Sequence, residues 1–372
     1  MYGCRKQKDK VGILLAQLGT PEAPTKAALK TYLKEFLSDP RVIEANRFIW
    51  WLTLNGIVLR TRPAKSAELY KRVWTKEGSP LLLTTQAQTN KLRERFKKHT
   101  NVSVEFGMRY GTPSLDSAVK KLIQDGCGKI VLIPLYPQYA SASTGSTYDA
   151  VFTSLLKERE VPTLRCVDPF FDNEIYISGL SKSIENYIAT SPNKPERIIF
   201  SYHGIPRRYV KAGDPYCCHC TATTKLVSDK LKLDPSIVLQ SYQSRFGKEP
   251  WLTPYLDELV KTLAAQGTKR LAVISPGFVT DCLETIDEIG YELKKQFLEE
   301  GGVSLDLIPC LNDSDVFIDC LEDLVRRTAS DWLDKKEIHS TLNCPAKIEI
   351  KTEQQMGNSC SNPVNEERIA NG

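Results

Sequence analysis

The sequence predicts an α/β protein whose parallel strands are flanked by helices, and three observations carry that prediction. Four short apolar runs each end in a turn rich in glycine or proline, amphipathic segments fill the intervals, and a polar stretch divides the chain into two halves of like pattern. The runs are residues 11–15 leading to Gly19-Thr20-Pro21, 129–135 leading to Pro137, 197–200 leading to His203-Gly204, and 270–275 leading to Pro276-Gly277. An uninterrupted apolar run of this length fits a strand buried on both faces, as in a parallel sheet. Segments 114–124 and 255–265 have helical period, each closing near a glycine. The stretch Thr190-Ser191-Pro192-Asn193-Lys194-Pro195 reads as a boundary. The expected organisation is therefore one domain over 10–190, a second over 191–335 and a polar tail over 336–372, with the crevice between the halves as the default site.

Composition narrows the function. The 372 residues are 41% hydrophobic and 26% charged, with a formal net charge of +5, and the length suits two domains. The basic residues are spread along the chain without finger spacings or aromatic-basic motifs, which argues against a nucleic-acid partner. No strand-to-helix turn carries GxGxxG and no GxxxxGK[ST] occurs, so no nucleotide cofactor is expected. The segment before Val11 is short and polar, and no secretory signal is expected. The longest apolar stretch, 48–59, is too short to span a bilayer; with Phe48, Trp50, Trp51, Leu54 and Ile57, and with Arg60 and Arg62 at its end, it suits a membrane surface, an apolar mouth or a buried core. The eleven cysteines are scattered, as expected in a reducing compartment; Cys217, Cys218 and Cys220, with His219 between, are a candidate structural metal or cluster site.

Two strand ends carry chemistry. After the run at 270–275, Glu284, Glu288 and Glu292 recur every four residues, which on an α-helix places them on one face. Like charges at that spacing repel by roughly 0.2 to 0.5 kcal/mol per pair, so solvent, a base, a cation or protons in transit must offset the repulsion. The carboxyl end of a buried parallel strand opens on the crevice where α/β sheets bind ligands, which favours a functional line over an ordinary solvated face. The third run delivers His203, one of four histidines, between turn formers that can expose it. An imidazole there can accept a proton or ligate a divalent ion, and beside carboxylates it suits proton abstraction, metal binding or both.

These residues sit in motifs that resemble the ferrochelatase family. The carriers are Gln17-Leu18-Gly19-Thr20-Pro21, Leu135-Tyr136-Pro137-Gln138-Tyr139 with Ser143-Thr144-Gly145-Ser146, Ser201-Tyr202-His203-Gly204-Ile205-Pro206, Gly213-Asp214-Pro215-Tyr216, and Pro250-Trp251-Leu252 followed by Pro276-Gly277-Phe278 to Glu284. They occur in family order over residues 10–330. The resemblance implies two Rossmann-like domains of chelatase type, each with a parallel sheet flanked by helices, and insertion of ferrous iron, as substrate, into protoporphyrin IX to give protohaem. It implies His203 and Glu284 as catalytic and metal-binding residues and Glu288 and Glu292 as a proton or metal path. Leu18, Tyr139, Trp251 and Phe278 are implied in the porphyrin pocket, and 48–59 is implied as a cleft lip on a peripheral membrane surface. The alternatives are a coproporphyrin enzyme and a noncatalytic tetrapyrrole-binding protein.

The chain departs from the family pattern at named positions. Gln17 stands where many members have asparagine, and Cys282 where some have histidine, which removes one proton carrier and makes a thiolate role conceivable. Animal members hold a two-iron two-sulfur cluster; here Ser141 occupies the first ligand position and the tail offers Cys344 and Cys360 without a close triplet, so an animal-type cluster is not expected. The expected location is cytoplasmic, peripheral on the inner membrane, with the matrix side of the mitochondrial inner membrane as the alternative. Nothing in the sequence fixes the oligomeric state.

Overall fold

The computed structural model describes residues 10–333 apart from Asn193, Phe246 and Lys248. Two four-stranded sheets, all parallel, have the same connectivity. The first contains β1 (Lys10–Gly19), β2 (Val102–Tyr110), β3 (Cys127–Pro134) and β4 (Thr163–Cys166), in the order β2-β1-β3-β4. The second contains β5 (Arg197–His203), β6 (Val238–Gln243), β7 (Arg270–Ile274) and β8 (Ser304–Ile308), in the order β6-β5-β7-β8. The four apolar runs read from sequence are the inner strands β1, β3, β5 and β7. Covered on both faces and both edges, they need side chains that are apolar throughout.

The helices at Leu115–Gln124 and Leu256–Ala265 form where the helical period places them, and the first is capped by the Ser114 hydroxyl accepting from Ser117 N–H at 3.2 Å. Each buries its apolar face on a sheet, Val119 and Leu122 against Leu14 and Ile130, Val260 and Leu263 against Leu271 and Val273. The helix at Glu174–Thr190 packs on that at Tyr216–Leu231, while the helix at Asp315–Leu333 returns to the first sheet. One buried cluster consequently runs from Val11 and Val131 to Phe200 and Ile274, joining the two sheets through a continuous apolar core.

That connectivity positions the site. In each sheet the chain leaves the first inner strand toward one edge and returns to the other side, so a crevice opens at the carboxyl ends of the inner pair. Gly19 closes β1 with φ +115°, and a Cβ there would lie 1.8 Å from the Tyr110 carbonyl oxygen. Only glycine permits that approach and the sharp exit into Thr20-Pro21.

Candidate active site

A cavity of about 300 Å³ lies where the inner strands of both sheets end. Gln17 and Leu18 reach it from β1, Leu135 and Tyr136 from the end of β3, His203 from β5, and Phe278 to Glu284 from the turn after β7. His203 and Glu284, far apart in sequence, therefore face one space.

His203 is half-buried, and its Nδ1 lies 2.7 Å from the Gly204 carbonyl oxygen. A carbonyl only accepts, so Nδ1 carries the hydrogen, and in the neutral ring Nε2 is the nitrogen that can accept. The Trp251 indole packs on Gly204, where an added Cβ would lie 3.1 Å from the ring, and its centroid is 6.4 Å from that of His203. The buried Trp251 indole N–H has no acceptor among the described residues. Glu284 lies in the first turn of the short helix Leu283–Ile286; its carbonyl accepts from Gln243 Nε2 at 2.8 Å, and Gln243 Oε1 accepts from Ser201 Oγ at 2.7 Å. The strand that presents His203 thus also braces the segment that presents Glu284. Burial first, then the Glu284 carboxylate, push the Tyr70 phenol far above its ordinary 10.0. The same two causes push the Cys282 thiol above its ordinary value, which disfavours the thiolate that the sequence made conceivable.

The model of the family described as ferrochelatase matches residues 10–329. The chain belongs to the ferrochelatase family. It is 45% identical over 356 residues to the ferrochelatase of Teredinibacter turnerae, covering 95% of each chain, and 48% identical over 326 residues to that of Brucella ovis, covering 87% of this chain and 93% of the relative. A structure of SirB from Bacillus subtilis with Fe3+ aligns over 87% of this chain and 96% of that one, with TM-score 0.51 at 14% identity, a likeness of fold alone. The chain is a metal-inserting lyase of porphyrin and haem biosynthesis, with a porphyrin and ferrous iron as substrates.

In this ferrochelatase the acidic line departs from the single α-helix that its four-residue spacing predicts. The single α-helix expected to carry it is an α-turn, Leu283–Ile286, followed by a wide π-turn, Glu288–Leu293, with Tyr291 and Glu292 N–H both donating to the Asp287 carbonyl at 3.1 and 2.9 Å. Such turns interrupt helices frequently at functional sites. The carboxylates still form a sequence: Glu284 lines the cavity, Glu288 lines a second pocket beside Gln243 and Ser244, and Glu292 is on the same pocket toward solvent. Burial, and next the charge of Glu284, raise the Glu288 carboxyl from 4.5 to about 7, while Ser244 Oγ donates to it.

Other expectations are redrawn. Leu18, Trp251 and Phe278 line the cavity, as do Tyr136, Gln138 and Ala140, but Tyr139 is not in the lining: its hydroxyl lies beside Gly145, where an added Cβ would be 3.3 Å from it, and its backbone N–H donates to His219 Nδ1 at 3.2 Å. Of the lip residues, Phe48, Trp51 and Ile57 are 70%, 59% and 62% exposed, whereas Leu54 is in the core and Trp50 is half-buried, donating from Nε1 to the Leu37 carbonyl at 2.6 Å. None of residues 48–59 lines the cavity; the helix continues to Val73, and its Ser66, Tyr70 and Val73 form part of the wall. Cys217, Cys218 and Cys220 occupy the first turns of Tyr216–Leu231, where neighbouring side chains point about 100° apart. Cys220 is buried, Cys218 is exposed, and among the described residues no group of three His, Cys, Asp or Glu is placed to hold a metal. Cys344 and Cys360 lie outside the described residues. The cavity also recruits Tyr136 and Tyr216, which belong to the motifs named above, and Tyr32 and Tyr70, for which no sequence motif offered a signal.

Proposed function

We propose that the porphyrin is protoporphyrin IX and the product protohaem, which makes the reaction the terminal step of haem biosynthesis. The observation that carries this reading is the charge of the lining. Among the described residues, no lysine or arginine lines the cavity, and its only carboxylate is Glu284. Carboxylates taken out of water need partners, so such a cavity favours a ring with two propionates, held at the rim, over one with four.

In this reading two pyrrole N–H protons leave as the dication enters. His203, with Nε2 free to accept, receives protons at the ring, and Glu284 with Glu288 and Glu292 forms the path by which metal arrives or protons depart. The wall of leucine, valine, tyrosine and tryptophan side chains orients the macrocycle and excludes water from the exchange. The exposed apolar side chains of Phe48, Ile49, Trp51, Leu52 and Ile57, next to Arg47 and Arg60, fit peripheral attachment to an anionic membrane surface. No helix among the described residues is long and apolar enough to cross a membrane. Attachment on the cytoplasmic face of an inner membrane is the reading adopted; the matrix face of a mitochondrial inner membrane would present the same chemistry.

Anaerobic incubation with ferrous iron and either protoporphyrin IX or coproporphyrin III, followed by metalloporphyrin absorbance, tests the substrate. The expected result is a higher kcat/KM for protoporphyrin; preference for coproporphyrin would overturn the reading.

A further inference from the structure

Arg72 lies near the carboxyl end of the helix Leu59–Val73, one residue before the cavity-lining Val73 and two after Tyr70. Its guanidinium crosses to the segment after β7. Nε donates to Asp287 Oδ1 at 2.6 Å, Nη2 donates to Asp287 Oδ2 at 3.0 Å, and Nη2 also reaches Glu292 Oε1 at 2.6 Å. The same group lies 4.9 Å from the centre of the Tyr291 ring. The Asp287 side chain is 1% exposed, so its charge depends on this one bidentate partner.

Asp287 is where the backbone changes from the α-turn to the π-turn, since its carbonyl accepts both Tyr291 and Glu292 N–H. That change of register places Glu284 in the cavity and Glu288 in the adjoining pocket. Arg72 thus grips the pivot of the acidic line with one edge of its guanidinium and the outer carboxylate with the other. It does so from the helix that walls the porphyrin cavity.

We propose that Arg72 is a positioning residue for metal delivery: by holding Asp287 and Glu292 it fixes the register of the acidic line relative to the porphyrin wall. The proposal rests on the reading of Glu284, Glu288 and Glu292 as a path. Arg72 does not line the cavity and does not contact Glu284 among the described hydrogen bonds, and it acts through the carboxylates it holds. Its removal therefore impairs use of the metal and spares binding of the porphyrin.

The test compares Arg72→Met, Arg72→Lys, Asp287→Asn, the double variant Arg72→Met/Asp287→Asn, and Glu288→Gln. Porphyrin affinity is read by quenching of tryptophan fluorescence, kcat/KM for ferrous iron at saturating porphyrin, and folding by the melting temperature. Displacing a group that orients metal-handling residues lowers kcat/KM for ferrous iron by about ten- to a hundredfold in Arg72→Met, with porphyrin affinity changed by less than about twofold. Asp287→Asn shows the same loss, the double variant is no worse than either single one, and Arg72→Lys recovers part of the activity. The double variant leaves no lone buried charge, which keeps the test open if Arg72→Met folds poorly. A folded Arg72→Met that uses iron normally, or that loses porphyrin affinity in parallel with iron use, overturns the proposal. A Glu288→Gln enzyme with unchanged kcat/KM for iron overturns the path reading and this proposal with it. Loss in Glu288→Gln with none in Arg72→Met overturns the role of Arg72 alone.

Discussion

Replacing Glu288 with glutamine removes a carboxylate whose charged form the fold disfavours. Burial and the neighbouring Glu284 raise its pKa from 4.5 to about 7. The folded state therefore holds a proton that the unfolded chain releases at lower pH, and stability falls as pH rises from 4.5 through 7. The difference between 7 and 4.5, at about 1.36 kcal/mol per pH unit, amounts to about 3 kcal/mol of destabilisation above pH 7. With an unfolding entropy of about 2.1 cal/mol/K per residue over roughly 320 residues, this corresponds to about 4 to 5 °C in Tm. Glutamine keeps an acceptor for Ser244 Oγ without the charge. Thermal melts of both proteins without substrates should show Glu288→Gln more stable by that margin at pH 8, with most of the gap closing at pH 5. A gap that does not change with pH, or a variant less stable than the parent at pH 8, would refute the reasoning.

Two further outcomes follow from other parts of the fold. Asp39 is buried, which opposes its ionisation, yet donors from Ser146, the Arg41 N–H and Tyr110 together with the charge of Arg109 hold it below 3.8; Asp39→Ala should cost about 3 to 5 kcal/mol in urea unfolding at pH 7, with the contribution of Asp39 lost as pH falls through its lowered pKa. Cosedimentation with anionic liposomes should fall about tenfold or more in Phe48→Ser/Trp51→Ser, each exposed ring losing apolar area, and unchanged partition would count against membrane attachment.

What the sequence made legible depends on burial. The inner strands β1, β3, β5 and β7 were readable because both faces are covered and their side chains are apolar throughout, whereas β2, β4, β6 and β8 mix half-buried polar and apolar residues and carry no such run. His203 and Glu284 stood out because each follows an inner strand into a turn. Tyr32, Tyr70 and Arg72 reach the site from helices whose local pattern is unremarkable, and only the tertiary fold brings them there. The four-residue spacing of the glutamates was visible, but the π-turn was not: its N–H groups converge on the Asp287 carbonyl, and the Asp287 side chain pairs with a residue more than two hundred positions earlier. Trp50 and Leu54 show the limit of an apolar run, since on a helix half of it turns inward.

The central claim is that His203 and Glu284 exchange protons and metal across a porphyrin held in the cavity they share. It is tested most directly by anaerobic insertion of ferrous iron in His203→Ala and Glu284→Gln, with porphyrin binding measured separately. Insertion should fall by about a hundredfold or more in each variant while the porphyrin is still bound. Insertion near the parent rate in both variants would contradict the account.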